Sequence, residues 1–497
     1  MLKPTVARIP TESRATGARG PAVLIDGAHL NCADVAAVAH RRRGVALTSD
    51  VHDRVERSHR FARRISAERT VYGRSTGVGA NRDIDIVDAA GHARALLRSH
   101  ATSAGPLRAA ERVRAMLVVR LNQLAAGGSG AAPSVLHGLV AMLAADALPR
   151  VREHGSIGTS DLTALATTAL ALAGEAPTTN PLPVTVEFGA HDALPFMSSN
   201  AAVIGDAALA CTELQALARA CVVVAALTYT AIDGNPEAFA EVVEQVTPFD
   251  GARQVCRWMR SLTSTATPPA RIQDPFGLRA FPQTHGAVLD ALSHLDSVVC
   301  RLANAPSENP VLLADPNGGG VLAHHGGFHA AYLTAALGAA VIAIGQSAKL
   351  ALARLAALSD PALTGLTPFL GDGTPGSSGV MVLEYVAASA LGDLRAAATP
   401  AGLQTVVLSR GVEEDASFAS LAARHATSAV GDLRVLLACE LVAAVRALRA
   451  RGISPPRKPL AAALAAGAKL PDGLEDRDLS GDVQLAERML GALARLV

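Results

Sequence analysis

The chain has 497 residues and a net charge of +1, with half of its residues hydrophobic and 18% charged. That is the balance of a large, core-rich globular protein and excludes a disordered one. Its Lys and Arg are spread along the chain, which excludes a concentrated nucleic-acid face. Its length predicts two or three structural regions.

Aromatic residues are only 3%, so Ala, Leu and Val must fill the core, a mix that favours closely packed helices. Residues 1–21 carry Arg, Glu and Gly where a signal peptide needs an apolar run, and read as a flexible leader. Residues 22–200 mix short apolar runs with turns. Ala22 to Asp26 suits a short strand ending at Gly27, and Thr70 to Asp83, rich in Gly, Ser and Thr, suits a loop with unusual backbone angles. Helical patterning starts at Glu111 and stops at Ala126, before Gly127 and Gly128.

Residues 201–452 read as long helices joined by short loops. Ala330 to Ile344 is the most membrane-like stretch, but Gln346, Ser347 and Lys349 follow closely. A run of about 20 apolar residues is therefore missing, and a buried bundle helix is the expectation, with no membrane partner. Between Asp432 and Arg451, Leu433, Leu436, Leu437, Leu441, Val445 and Leu448 form one helical stripe. Residues 453–497 suit a connector with Pro455 and Pro456, then a last helix from about Gly481. The prediction is a mainly α protein whose irregular N-terminal region sets loops over the ends of a helical bundle, a common place to build a site.

The six cysteines, Cys32, Cys211, Cys221, Cys256, Cys300 and Cys439, form no Cys-x-x-Cys pair. Buried thiols in a reducing cytoplasm are expected, with neither a zinc motif nor a disulfide framework. His325 and His329 stand one helical turn apart, yet no Glu lies between them and no third ligand is implied, so no metal is expected.

Several motifs follow one another along the chain: Tyr72-Gly-Arg-Ser-Thr-Gly-Val-Gly79, Leu97-Arg-Ser-His-Ala101, Arg120-Leu-Asn-Gln-Leu-Ala-Ala-Gly-Gly-Ser-Gly130, Gly155-Ser-Ile-Gly-Thr-Ser-Asp161, Gln273-Asp-Pro-Phe-Gly-Leu-Arg279, Ser307-Glu-Asn-Pro310, Gly326-Gly-Phe-His329 and Val412-Glu-Glu-Asp-Ala-Ser417. In order and spacing they resemble the histidine, phenylalanine and tyrosine ammonia-lyase and aminomutase family over almost the full length. The resemblance implies the aromatic amino-acid lyase fold, a helical bundle of the fumarase and aspartase kind. It also implies a homotetramer whose sites are each assembled from three chains.

In that family an Ala-Ser-Gly tripeptide cyclises to the electrophile 4-methylidene-imidazol-5-one (MIO), which captures the departing amine. The resemblance makes Tyr72 the base at the β-carbon and Arg279 the clamp on the substrate carboxylate, supported by Asn309. It sets Glu413 near the amino group and His100 on the substrate side chain. A phenol ionises near pKa ~10 and would have to be lowered by the site to serve as a base. Each residue also has a plainer reading: Tyr72 as a loop tyrosine, Arg279 as a structural ion pair, Glu413 as part of a solvated acidic run, and His100 as a core histidine.

The match fails around the electrophile. Thr159 and Ser160 stand where the tripeptide begins, but Asp161 follows directly and the Gly is absent. Ring closure uses the third residue's amide nitrogen on the first residue's carbonyl, and a Cβ crowds that attack. Ser198 replaces the family's Asn, and Phe276 its Tyr. The expectation is an enzyme without MIO that uses Tyr72 for elimination, addition, cyclisation or isomerisation on a small amino-acid-like substrate, with no added cofactor. Two alternatives stay open: a true MIO lyase or 2,3-aminomutase using Thr159, Ser160 and Asp161, and a non-catalytic oligomeric binding partner.

Overall fold

A computed structural model of the chain describes residues 20–263 and 269–497; apart from its last two positions, the expected leader at 1–21 lies outside the described residues. The fold is mainly α-helical. Its longest helices are Ala201–Ala231, Phe281–Ala303, Ala331–Ser359 and Ala419–Ala450. The stripe expected from Asp432 onward is the second half of the last of these, with Leu433, Leu436, Leu437, Leu441, Val445 and Leu448 all buried. The helix expected from Glu111 spans Ala110–Ala125, and the final one spans Ser480–Leu493.

Two helical stretches, Ala193–Ala231 and Ala331–Ser359, are long and apolar enough to cross a membrane by length and composition. Their most apolar windows are 67% and 50% buried, and core helices pass the same test.

The chain divides into two compact units. One comprises residues 210–295, 336–399 and 425–497. Its apolar helices are tied by a few fully paired polar groups. Arg354 and Glu440, at 1% and 0% exposure, meet through Nε (2.6 Å) and Nη2 (2.8 Å). Thr228 Oγ1 donates to the same carboxylate at 2.8 Å, and Arg354 also donates to the Gly277 carbonyl. Pairing on every side is what makes such a buried charge tolerable. His285 bonds Ser347 Oγ and the Ala218 carbonyl, and burial lowers its pKa to about 4, so it is neutral there.

The other unit comprises residues 1–209, 296–335 and 400–424. Among its described residues it holds three small sheets. Val23–Ile25 pairs in parallel with Val45–Leu47, confirming the expected first strand. Ala104–Leu107 pairs with Arg152–His154, and Val311–Ala314 with Gly320–Ala323, both antiparallel. Two of its helices start where a side chain supplies the first acceptor: Asn31 takes the Asp34 N–H and Asp88 the Gly91 N–H. Below the loops lies a buried ion pair, Arg120 with Glu308, both fully buried and 2.8 Å apart. Arg120 also donates to the Phe196 carbonyl, and Gln123 accepts from Ser199 Oγ at 2.6 Å. This network fixes the segment from Pro195 to Asn200 against the Ala110–Ala125 helix.

Candidate active site

Within this unit a cavity of about 910 Å³ is lined by Tyr72 and the loop to Asp83, His100, Thr159, Ser160, Ser198, Asn309, His324, His329, and Ser409 with Val412 to Asp415. Eight of the sequence candidates fall in or beside it. Tyr72, Glu413, Ser160, Thr159, Asn309, His100 and Ser198 line it directly, and Asp161 sits immediately behind Ser160.

The Tyr72 loop is shaped by glycines at positive φ, Gly73 at +65° and Gly79 at +57°. A Cβ on Gly79 would come within 2.7 Å of Ser409 Oγ, so this position must be bare. The Gly79 N–H donates to the Tyr72 phenol oxygen at 2.8 Å, and the Ala80 N–H to Ser409 Oγ at 3.0 Å. The Tyr72 N–H donates to His324 Nε2, which fixes that ring as the Nδ1–H tautomer. Burial raises the Tyr72 pKa, and the Glu413 charge raises it further; the Gly79 N–H and Arg82 act the other way without prevailing. This is the reverse of the lowered phenol that a resting base would need.

His100 closes the Ala89–His100 helix. Its Nδ1 lies 3.0 Å from both the Leu96 carbonyl and Ser99 Oγ, which leaves Nε2 for the cavity. Asn309 is held by Ser198 Oγ, which accepts its N–H at 3.0 Å, and its Oδ1 accepts the His325 N–H. The three histidines of 324–329 diverge. His324 faces Tyr72, His325 bonds the Glu308 carbonyl at 2.6 Å, and His329 Nε2 lies 3.2 Å from Asp415 without hydrogen-bond alignment.

The Thr159-Ser160-Asp161 segment is clamped from both sides. Gly158 has φ +89°, and its carbonyl accepts from Ser417 Oγ at 2.8 Å. Thr159 bridges to His329. Ser160 takes φ +82°, a strained angle for a residue with a Cβ, and its N–H donates to Asn200 Oδ1 at 3.1 Å. The Asp161 N–H donates to the Ser199 carbonyl at 2.7 Å, and its Oδ2 accepts the Val203 N–H at 2.9 Å. Burial raises the pKa of this carboxyl, against hydrogen bonds from Ser156 and Val203. Asp161 is thus anchored through both its amide and its side chain, at the start of the Leu162–Leu172 helix.

Two lining or supporting residues were not singled out by the motifs. Asn200 holds Ser160 two positions beyond where an Asn was expected, and its Nδ2 donates to the Phe328 carbonyl. Arg82 brings a guanidinium to a wall otherwise carrying Asp83, Glu413, Glu414 and Asp415. That excess of carboxylates attracts a cationic group. Arg279 and Phe276 belong to the other unit and do not line the cavity. There the guanidinium lies over the Phe276 ring, 4.6 Å from its centroid, and donates to Gln273 at 2.7 Å.

A family model described as aromatic amino acid lyase matches residues 30–469. The chain is 33% identical to a histidine ammonia-lyase of Sorangium cellulosum, over 95% of this chain and 98% of that one. Tyrosine aminomutase from Streptomyces globisporus superimposes with a TM-score of 0.88 at 25% identity, covering 96% of this chain and 98% of its own. A Treponema denticola ergothionase, described as ergothioneine-degrading, has the same fold, with a TM-score of 0.88 at 24% identity over 96% of this chain and 99% of its own.

Proposed function

The chain belongs to the aromatic amino acid lyase family, and we propose that it is a lyase that works on an amino-acid-like substrate without MIO, with Tyr72 as base. The observation that carries this is the state of Asp161. Its amide N–H, on the nitrogen that ring closure requires, is anchored on the Ser199 carbonyl at 2.7 Å, and its side chain is buried and bonded to Val203, so ring closure would have to break these contacts. Residues Thr159 to Asp161 do not fit the electrophile.

Without that electrophile, an ammonium-derived amine is a poor leaving group at neutral pH. A nitrogen that is already quaternary is a good one, because it departs as a neutral tertiary amine. In the proposed step Tyr72, as phenolate, takes the β-proton. The C–H electron pair becomes the Cα–Cβ double bond, and the C–N pair leaves with the amine. Glu413, with Glu414 and Asp415 on the same wall, holds the cationic nitrogen before it leaves. His100 offers Nε2 to a polar ring on the substrate, and the histidine ammonia-lyase relatives make an imidazole side chain the first candidate.

Arg279 then serves the carboxylate from a neighbouring copy, as a planar guanidinium does well. Ile342, Val382, Tyr385 and Val386 are exposed apolar residues on two helices of the unit that carries Arg279, which supports association into a homotetramer of roughly 200 kDa from 50.8 kDa chains.

The test begins with intact mass and peptide mapping, where an unmodified Thr159–Asp161 peptide is expected and a deficit of two waters there would overturn the reading. Histidine and its trimethylammonium analogue are then offered in parallel, with the conjugated acrylate followed by absorbance. Amine release is expected from the quaternary substrate and to be lost in Tyr72→Phe. Mixed tetramers of Tyr72→Phe and Arg279→Ala should regain activity that neither variant has alone.

A further inference from the structure

Away from the cavity, Cys32, Asp296 and Cys300 bring two sulfurs and a carboxylate oxygen within 4.8 Å of one another. Among the described residues this is the one grouping of metal-ligating side chains so close. Cys32 is buried at the start of the Cys32–Ala39 helix. Asp296 and Cys300 stand one turn apart on the Phe281–Ala303 helix, with Cys300 Sγ 3.9 Å from Asp296 Oδ2. Residues four apart share a helix face, so both point at the same spot.

The three are held in place by contacts that do not depend on them. Asn304 Nδ2 donates to the Leu30 and Cys300 carbonyls, both at 2.7 Å, and its Oδ1 accepts the Leu30 N–H at 2.8 Å. Asn122 Nδ2 donates to that same oxygen at 2.8 Å. The chain entering Cys32 is therefore strapped to the end of the helix that carries Cys300. None of the three side chains lines the cavity described above.

From this geometry we propose that Cys32, Asp296 and Cys300 form a binding site for a thiophilic divalent cation, Zn²⁺ above all. In a tetrahedral site, Zn–S bonds of ~2.3 Å and Zn–O bonds of ~2.0–2.2 Å place neighbouring ligand atoms roughly 3.5–3.8 Å apart. Cys300 Sγ and Asp296 Oδ2, 3.9 Å apart, already lie near that, and the other separations, within 4.8 Å, must contract by up to about 1 Å. Two sulfurs select against Mg²⁺ and Ca²⁺, which require oxygen, and the fourth position is left to water. On binding, both thiols lose their protons to solvent and the thiolates donate to the metal.

The full-length reduced protein is titrated with Co²⁺, whose tetrahedral thiolate complexes show sulfur-to-metal charge transfer and strong visible bands. Saturation at one equivalent is expected, with displacement by Zn²⁺ but not by Mg²⁺. Cys300→Ser and Cys32→Ser should each lose the charge-transfer band, whereas Cys256→Ser should keep it. In the unaltered protein, Zn²⁺ should protect the partly exposed Cys300 from a thiol reagent, a readout that needs no variant. Absence of the band at one equivalent, its survival in Cys300→Ser, an unprotected Cys300, or a Cys32–Cys300 disulfide in the reduced preparation would overturn the assignment.

Discussion

Replacing Glu413 by Gln should make the Tyr72 phenol easier to ionise, and this can be measured without knowing the substrate. A free phenol of pKa about 10 is ionised in roughly one molecule per thousand at pH 7, so producing the phenolate there costs about 4 kcal/mol. Burial and the Glu413 charge both push Tyr72 further in the unfavourable direction. Burial is the larger cause and survives the substitution, so the expected shift to lower pH is real but partial. Arg82 lowers the phenol, so Arg82→Ala should move it the opposite way.

The assay is ultraviolet titration of tyrosinate absorbance. The chain has only four tyrosines, and subtracting the Tyr72→Phe titration isolates this one. An unmoved or upward-shifted titration in Glu413→Gln would refute the electrostatic reasoning. The catalytic corollary is that a cationic substrate nitrogen beside Glu413 neutralises the same charge. Under the proposed mechanism a base at Tyr72 would be weak in the free protein and strengthen when the right substrate arrives, an ordering that would protect a reactive phenolate from solvent.

Asp161→Ala should lower stability by about 1–3 kcal/mol, because the buried Val203 N–H loses its acceptor, while Asp161→Asn retains one. Because the folded state raises the pKa of Asp161, its favourable contribution is complete below the unfolded value of 3.8 and is lost as pH rises through the folded one. Thermal midpoints of Asp161→Asn should therefore gain on the unaltered protein as pH rises from acid to neutral; parallel curves would contradict this. Glu308→Gln leaves Arg120 charged and fully buried, and denaturant unfolding should register a loss of about 3–5 kcal/mol. His100→Ala should raise KM about tenfold with little change in kcat, as removal of one substrate hydrogen bond predicts; a selective fall in kcat would move His100 into the chemistry.

The helical class and the order of the site loops were legible because they rest on local signals. Apolar periodicity marked the Ala419–Ala450 helix, and glycine spacing marked the Tyr72 loop, where Gly79 has no room for a Cβ beside Ser409. What remained hidden depends on through-space arrangement. The acceptor that holds Ser160 is Asn200, two positions beyond the Asn that motif matching expected at 198, since a side chain can reach the same atom from a different register. The direction of the Tyr72 shift was hidden too, because burial and the Glu413 charge act through space and no motif encodes them.

Cys32 and Cys300 show the same limit from another side. Their spacing along the chain carries no metal signature, and only the Asn304 strap and the turn from Asp296 to Cys300 reveal three ligand atoms together. Substitutions at the tripeptide follow a related logic. The amide and the carboxylate of Asp161 are both bonded inside the fold. The Thr159–Asp161 loop is thereby a structural joint between the Leu162–Leu172 helix and the Ser199–Val203 segment. A Gly inserted after Ser160 would therefore have to break that joint before any ring could close.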